Sequence, residues 1–131
     1  MWKALITSVV ITSIPALVQG ANGGSGKELL DQCLAAQTLV SSGKGTNDQV
    51  LEASRCFAFL EGATQAWNFQ HLAIRDLIPS MPGYVCLPPE GISNEVAAKH
   101  VVRYLQDHVD EQSRPKIFPV IKALMAAYPC D

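Results

Sequence analysis

The chain has 131 residues, 48% of them hydrophobic and 17% charged, with ten Lys and Arg against twelve Asp and Glu. A formal charge of -2 excludes the basic footprint that nucleic acids or anionic membrane surfaces require. The length suits one domain with a modest core, a size at which covalent crosslinks add useful stability.

Residues 1–20 read as a cleavable export signal. Met1-Trp2-Lys3 sets one positive charge ahead of an apolar run from Ala4 to Val18, and small residues follow at Gln19-Gly20-Ala21-Asn22. A spanning helix needs about 20 apolar residues; this run is shorter and carries Thr7, Ser8, Thr12, Ser13 and Pro15. Cleavage is expected near Gly20, leaving no membrane segment. Residues 21–26, Ala-Asn-Gly-Gly-Ser-Gly, read as a flexible leader, and residues 27–131 as the helical domain.

The spacing of Leu30, Cys33, Leu34 and Gln37, with Leu29, Ala36 and Val40 beside them, predicts a first helix from about Ser25 to Leu39. Ser41-Ser42-Gly43-Lys44-Gly45 ends it. Thr46 or Asn47 caps a second helix, with Asp48 in its first turn. Val50, Leu51, Cys56, Phe57, Leu60, Ala63 and Trp67 carry that helix to about Phe69, with Leu77 as its outer limit. Gly62, inside it, reads as a packing point, because a mid-helix glycine costs about 1 kcal/mol relative to alanine.

Pro79-Ser80-Met81-Pro82-Gly83-Tyr84 breaks the helix and forms a loop leading to Cys86. Ser93 caps a third helix with Glu95 in its first turn. Its apolar face is Ala97, Val101 and Leu105, flanked by Val96, Val102 and Val109. Asp110 to Ser113 break it. Pro115 suits the start of a fourth helix carrying Ile117, Val120, Ile121, Leu124 and Tyr128, and Pro119 either delays that start or bends the helix. Strand patterning is nearly absent, so the expected class is all-α.

Cys33, Cys56, Cys86 and Cys130 are the only cysteines. Behind an export signal an even set implies two disulfides, with three possible pairings. Geometry favours one of them. Cys33 and Cys56 lie about equally far on either side of the first interhelical turn, so an antiparallel hairpin sets them at matching height. Cys86 precedes the third helix and Cys130 follows the fourth, which joins them if those helices are also antiparallel.

No reaction chemistry or cofactor is expected. Cys-x-x-Cys is absent and His71, His100 and His108 lack ligand spacing to any cysteine, so no metal site is expected. The paired cysteines leave no free thiol nucleophile, and Gly-x-Ser-x-Gly is missing. His100 and His108 read as solvated, Glu52 and Glu61 as exposed helix residues, and Phe57, Phe59, Trp67, Phe69 and Tyr84 as core. An exported domain of this kind reads as a binding protein.

Four tracts then carry a family resemblance: Cys56-Phe57-Ala58-Phe59-Leu60-Glu61-Gly62, Cys86-Leu87-Pro88-Pro89-Glu90-Gly91-Ile92-Ser93, Val101-Val102-Arg103-Tyr104-Leu105-Gln106-Asp107-His108, and Ala123-Leu124-Met125-Ala126-Ala127-Tyr128-Pro129-Cys130. In this order the chain resembles the Rap/Tai family of type VI secretion immunity proteins. That resemblance implies a small all-helical periplasmic protein that binds and blocks a peptidoglycan-cleaving amidase effector, often as a homodimer. Phe59, Val109 and Pro119 depart from the family pattern. A periplasmic structural or chaperone-like helical protein with no toxin partner is the alternative. The expected blocking element is the loop after the second helix, with Leu77, Ile78, Met81 and Tyr84 as apolar anchors and Arg75 and Asp76 as polar contacts.

Overall fold

A computed structural model describes residues 23–81 and 83–131. The expected signal segment at 1–20 and Pro82 lie outside the described residues. Four α-helices follow in order: α1, Gly26–Ser42; α2, Asn47–Leu77; α3, Asn94–Asp107; and α4, Ile117–Ala127, with a 3-10 turn at Val109–Ser113 before α4. No strand occurs among the described residues; an isolated antiparallel bridge pairs Ser25 with Pro115. The fold is all-α.

Local chemistry sets each boundary. Ser25 caps α1, its hydroxyl accepting from the Glu28 amide at 3.2 Å. Gly43 closes the helix in the left-handed region at φ 66° and donates its N–H to Leu39 O, a conformation that glycine adopts without penalty. Thr46 and Gln49 form a reciprocal capping box at the start of α2, each side chain accepting the other's backbone N–H. Ser93 caps α3 through the Val96 amide. Of the two outcomes expected for Pro119, a later start or a bend, the structure shows a start later than Pro115. Helix α4 starts at Ile117, so the proline falls in the first turn, where its missing N–H has no intrahelical partner.

The core lies between α1, the first half of α2, α3 and α4. Leu29, Cys33, Ala36, Cys56, Leu60, Val101, Leu105, Val120 and Leu124 are all fully enclosed. Both disulfides form as the hairpin geometry implies: Cys33 joins Cys56 across α1 and α2, and Cys86 joins Cys130. Two crosslinks mark a protein made for an oxidising compartment.

Several expectations need correction. Gly62 is not a packing point: it is exposed, and a β-carbon there would meet nothing within 4 Å. Gly26 is a close-approach glycine instead. Its β-carbon would stand 2.7 Å from the Glu111 carbonyl oxygen, where α1 presses on the 3-10 turn. Val40, Val96 and Val109 face solvent and lie outside the core. The chain at Gly24 and Gly26 is tied to the segment before α4 by the Gly26 N–H to Arg114 O and Lys116 N–H to Gly24 O hydrogen bonds.

Candidate binding surface

Helix α2 has 31 residues where α1 has 17 and α3 has 14. At about 1.5 Å per residue it outruns both by some 20 Å or more. Its buried residues, Ala53, Cys56, Leu60 and Ala63, all lie in its first half. Beyond Ala63 the helix keeps large apolar side chains, and apart from Trp67 and Ile74 they are left in solvent. Phe69 is 73% exposed, Leu72 42% and Leu77 82%.

The loop that follows turns back along this projecting segment. Trp67, Gln70, His71 and Ile74 stand at the i, i+3, i+4, i+7 spacing of one helix face. With Met81, Gly83, Tyr84, Val85 and Ile121 they enclose an apolar cavity of about 250 Å³. The loop is fixed at both ends. The Ile78 N–H caps α2 on Ile74 O, and at the far end Val85 is buried and the Cys86 N–H donates to Tyr128 O. Gly83 fits against His71 and Cys130 so closely that a β-carbon would lie 2.9 Å from His71 Nδ1 and 3.0 Å from Cys130 Sγ.

All six side chains expected at the blocking loop gather at this end of the molecule and are exposed. They are Arg75, Asp76, Leu77, Ile78, Met81 and Tyr84. Arg75 Nε and Asp76 Oδ1 are 3.6 Å apart, both more than half exposed, so water screens the pair and it contributes little to stability. Met81 and Tyr84 also wall the cavity with His71. Phe69 and Tyr84 correct an expectation: both were read as core, and both face solvent, whereas Phe57, Phe59 and Trp67 do pack against the core. Phe69 and Leu72 add to the exposed apolar side chains at this end, which the sequence reading does not place on the surface. The signal for them was helical phase: Leu60, Ala63 and Trp67 share one face of α2, and Phe69 and Leu72 fall off it.

The polar groups serve local structure. His108 Nδ1 lies 2.9 Å from Tyr104 O, and His100 Nε2 lies 3.3 Å from the Tyr128 hydroxyl, so His100 is packed where a solvated ring was expected. Burial lifts the Tyr104 phenol above its ordinary value of 10.0 against the opposing charge of Lys122, on α3 and away from the loop. Two Ser-x-x-Lys spacings, Ser41–Lys44 and Ser113–Lys116, match a serine–lysine hydrolase pattern by spacing alone. Both hydroxyls are exposed and donate to carbonyls of their own turns, Thr38 and Asp110. Among the described residues no group of three His, Cys, Asp or Glu could hold a metal ion, and no helix is long and apolar enough to cross a membrane. A wider apolar groove of about 620 Å³ lies along α1 and α3, lined by Leu34, Val40, Phe57 and Ala98 and edged by Glu95 and Lys99. It is concave and part of the helical frame. The end of α2 and its loop form the surface that carries the exposed anchors.

A family model described as Rap1a immunity proteins matches residues 25–130. That span opens at the cap of α1 and closes on Cys130, so it takes in both disulfides and the whole loop. No curated protein and no solved structure matches the chain.

Proposed function

The chain belongs to the Rap1a immunity protein family, and from that premise we propose that it binds and blocks a peptidoglycan-cleaving amidase effector of a type VI secretion system. The site of action is the periplasm, reached by export on the segment 1–20. The observation that carries this reading is the cluster of exposed apolar side chains on the end of α2 and its tethered loop.

Blocking a cleft requires no reaction, only a stiff projection with apolar anchors and a polar rim. Leu77, Ile78, Met81 and Tyr84 supply the anchors, and Arg75 and Asp76 the rim. Fully burying one large apolar side chain contributes about 1.5–3 kcal/mol, so a few anchors suffice for tight association once ordering costs are met. Those costs are lowered in advance. Pro79 restricts the entry to the loop, Val85 and the Cys86–Cys130 bond hold its exit, and Gly83 is pressed against His71.

The test is titration of the purified mature protein against the amidase encoded beside its gene, with peptidoglycan hydrolysis as a second readout. Nanomolar binding and loss of hydrolysis are expected. Leu77→Ala and Tyr84→Ala should each weaken binding by about 10- to 100-fold, as central anchors do, while leaving the helical content intact. Failure to bind the product of any neighbouring gene would overturn the proposal.

A further inference from the structure

The two disulfides stand in different surroundings. Cys33 and Cys56 are fully enclosed in the core, at 0% exposure each. Cys86 and Cys130 are half-buried and line an open cavity of about 550 Å³ with His71, Arg75, Ser80 and Asp131. Thiol–disulfide exchange needs an attacking thiolate to reach a sulfur. Only the second bond offers that access. His71 and Cys130 both pack on Gly83, where a β-carbon would stand 2.9 Å from His71 Nδ1 and 3.0 Å from Cys130 Sγ, and both line that cavity.

We infer that Cys86–Cys130 is a reducible latch that holds the blocking loop in its working shape, whereas Cys33–Cys56 is a permanent staple of the frame. The functional meaning of the latch rests on the reading proposed above. A dithiol reductant is the co-reactant. One of its thiolates attacks Cys86 Sγ, the Cys86–Cys130 bond breaks, and the electron pair leaves on Cys130 Sγ, to which an N–H of the His71 ring across Gly83 can donate. The second reductant thiolate then displaces Cys86, both cysteines take up protons, and the reductant departs as its own disulfide after giving two electrons.

The frame does not depend on this bond. Helices α3 and α4 stay packed through Val101, Leu105, Val120 and Leu124, and Lys122 stays paired with Glu111. The loop loses the covalent part of its hold. The backbone hydrogen bond from Cys86 to Tyr128 O and the buried Val85 are what remain at its exit. Reduction therefore loosens the presented surface while the helices persist, turning a preorganised loop into one that must be ordered on binding.

The experiment needs no effector, so its failure and a failure to bind an amidase are separable. The oxidised mature protein is held in graded dithiothreitol, alkylated with iodoacetamide and peptide-mapped, with helical circular dichroism and amide exchange followed in parallel. Cys86 and Cys130 should be alkylated about tenfold or more faster than Cys33 and Cys56, with helical signal retained and exchange rising over residues 78–86. In His71→Ala the reduction of Cys86–Cys130 should slow several-fold while Cys33–Cys56 keeps its rate. Equal rates for the two bonds, reduction only together with helix loss, or unchanged loop exchange after selective reduction would each overturn the latch. An unchanged rate in His71→Ala would overturn the part assigned to that ring.

Discussion

From Asn47 to Ala63, α2 sends Ala53, Cys56, Leu60 and Ala63 into the core and is bonded to α1 by a disulfide. From Thr64 to Leu77 the same helix buries no residue, yet it carries Phe69, Leu72 and Leu77 on its surface. The first stretch is held by its neighbours. The second is held by helical continuity, by Trp67 packed on the edge of the core and by the loop that folds back on it. The exposed apolar side chains at the end of α2 and on its loop are the surface that the proposed binding would cover. The difference between the two stretches therefore separates the part that supports the fold from the part proposed above to meet a partner.

The largest expected effect tests that separation directly. Leu60 is 0% exposed, and Leu60→Ala should destabilise the protein by about 2–5 kcal/mol in urea unfolding, through lost burial and the cavity left behind. Leu77, at 82% exposure, should change stability by no more than about 0.5 kcal/mol on the same substitution. Comparable losses at the two positions would erase the division within α2.

A smaller effect should come from the ionic contact that closes the core end. Glu111 is 5% exposed and accepts from Lys122, with Arg114 Nη1 3.8 Å away. Removing one partner of a fully buried pair costs about 3–5 kcal/mol. Here Lys122 and Arg114 keep roughly two-fifths of their side chains in water, so each can rehydrate. Glu111→Ala should therefore cost about 1–3 kcal/mol. Amide exchange over residues 78–86 should stay unchanged, because the contact belongs to the frame and not to the loop.

The frame was the legible part of the sequence. Polar caps at Ser25, Thr46 and Ser93, the stop at Gly43 and apolar spacing through α1 and α3 are local signals, and local physics decides them. The disulfide pairing followed from placing the cysteines on antiparallel helices. The surface was harder to read, because periodicity states that one face of a helix is apolar without stating what covers it. Phe69 stands on the face of α2 opposite the stripe of Leu60, Ala63 and Trp67, so it ends in solvent although it is large and apolar. Val109 fails for another reason. It falls just past the end of α3, where the 3-10 turn rotates it away from the face that Leu105 occupies.

Gly62 gives the smallest expected effect and the one of opposite sign. It sits near the junction of the two stretches of α2, exposed, with nothing within 4 Å of where a β-carbon would lie. A glycine in such a place gives the unfolded chain freedom that folding must remove, and it leaves the helix backbone open to water. Gly62→Ala should stabilise the protein by about 0.5–1 kcal/mol, which corresponds to a rise of about 2–6 °C in Tm for a domain of this size. Alanine has no polar group and only one added carbon, so the site has no means of converting that gain into a loss unless another backbone lies against it. A fall in Tm would therefore place a neighbour on that face of α2 in solution, and the stretch offered to partners would begin before Thr64.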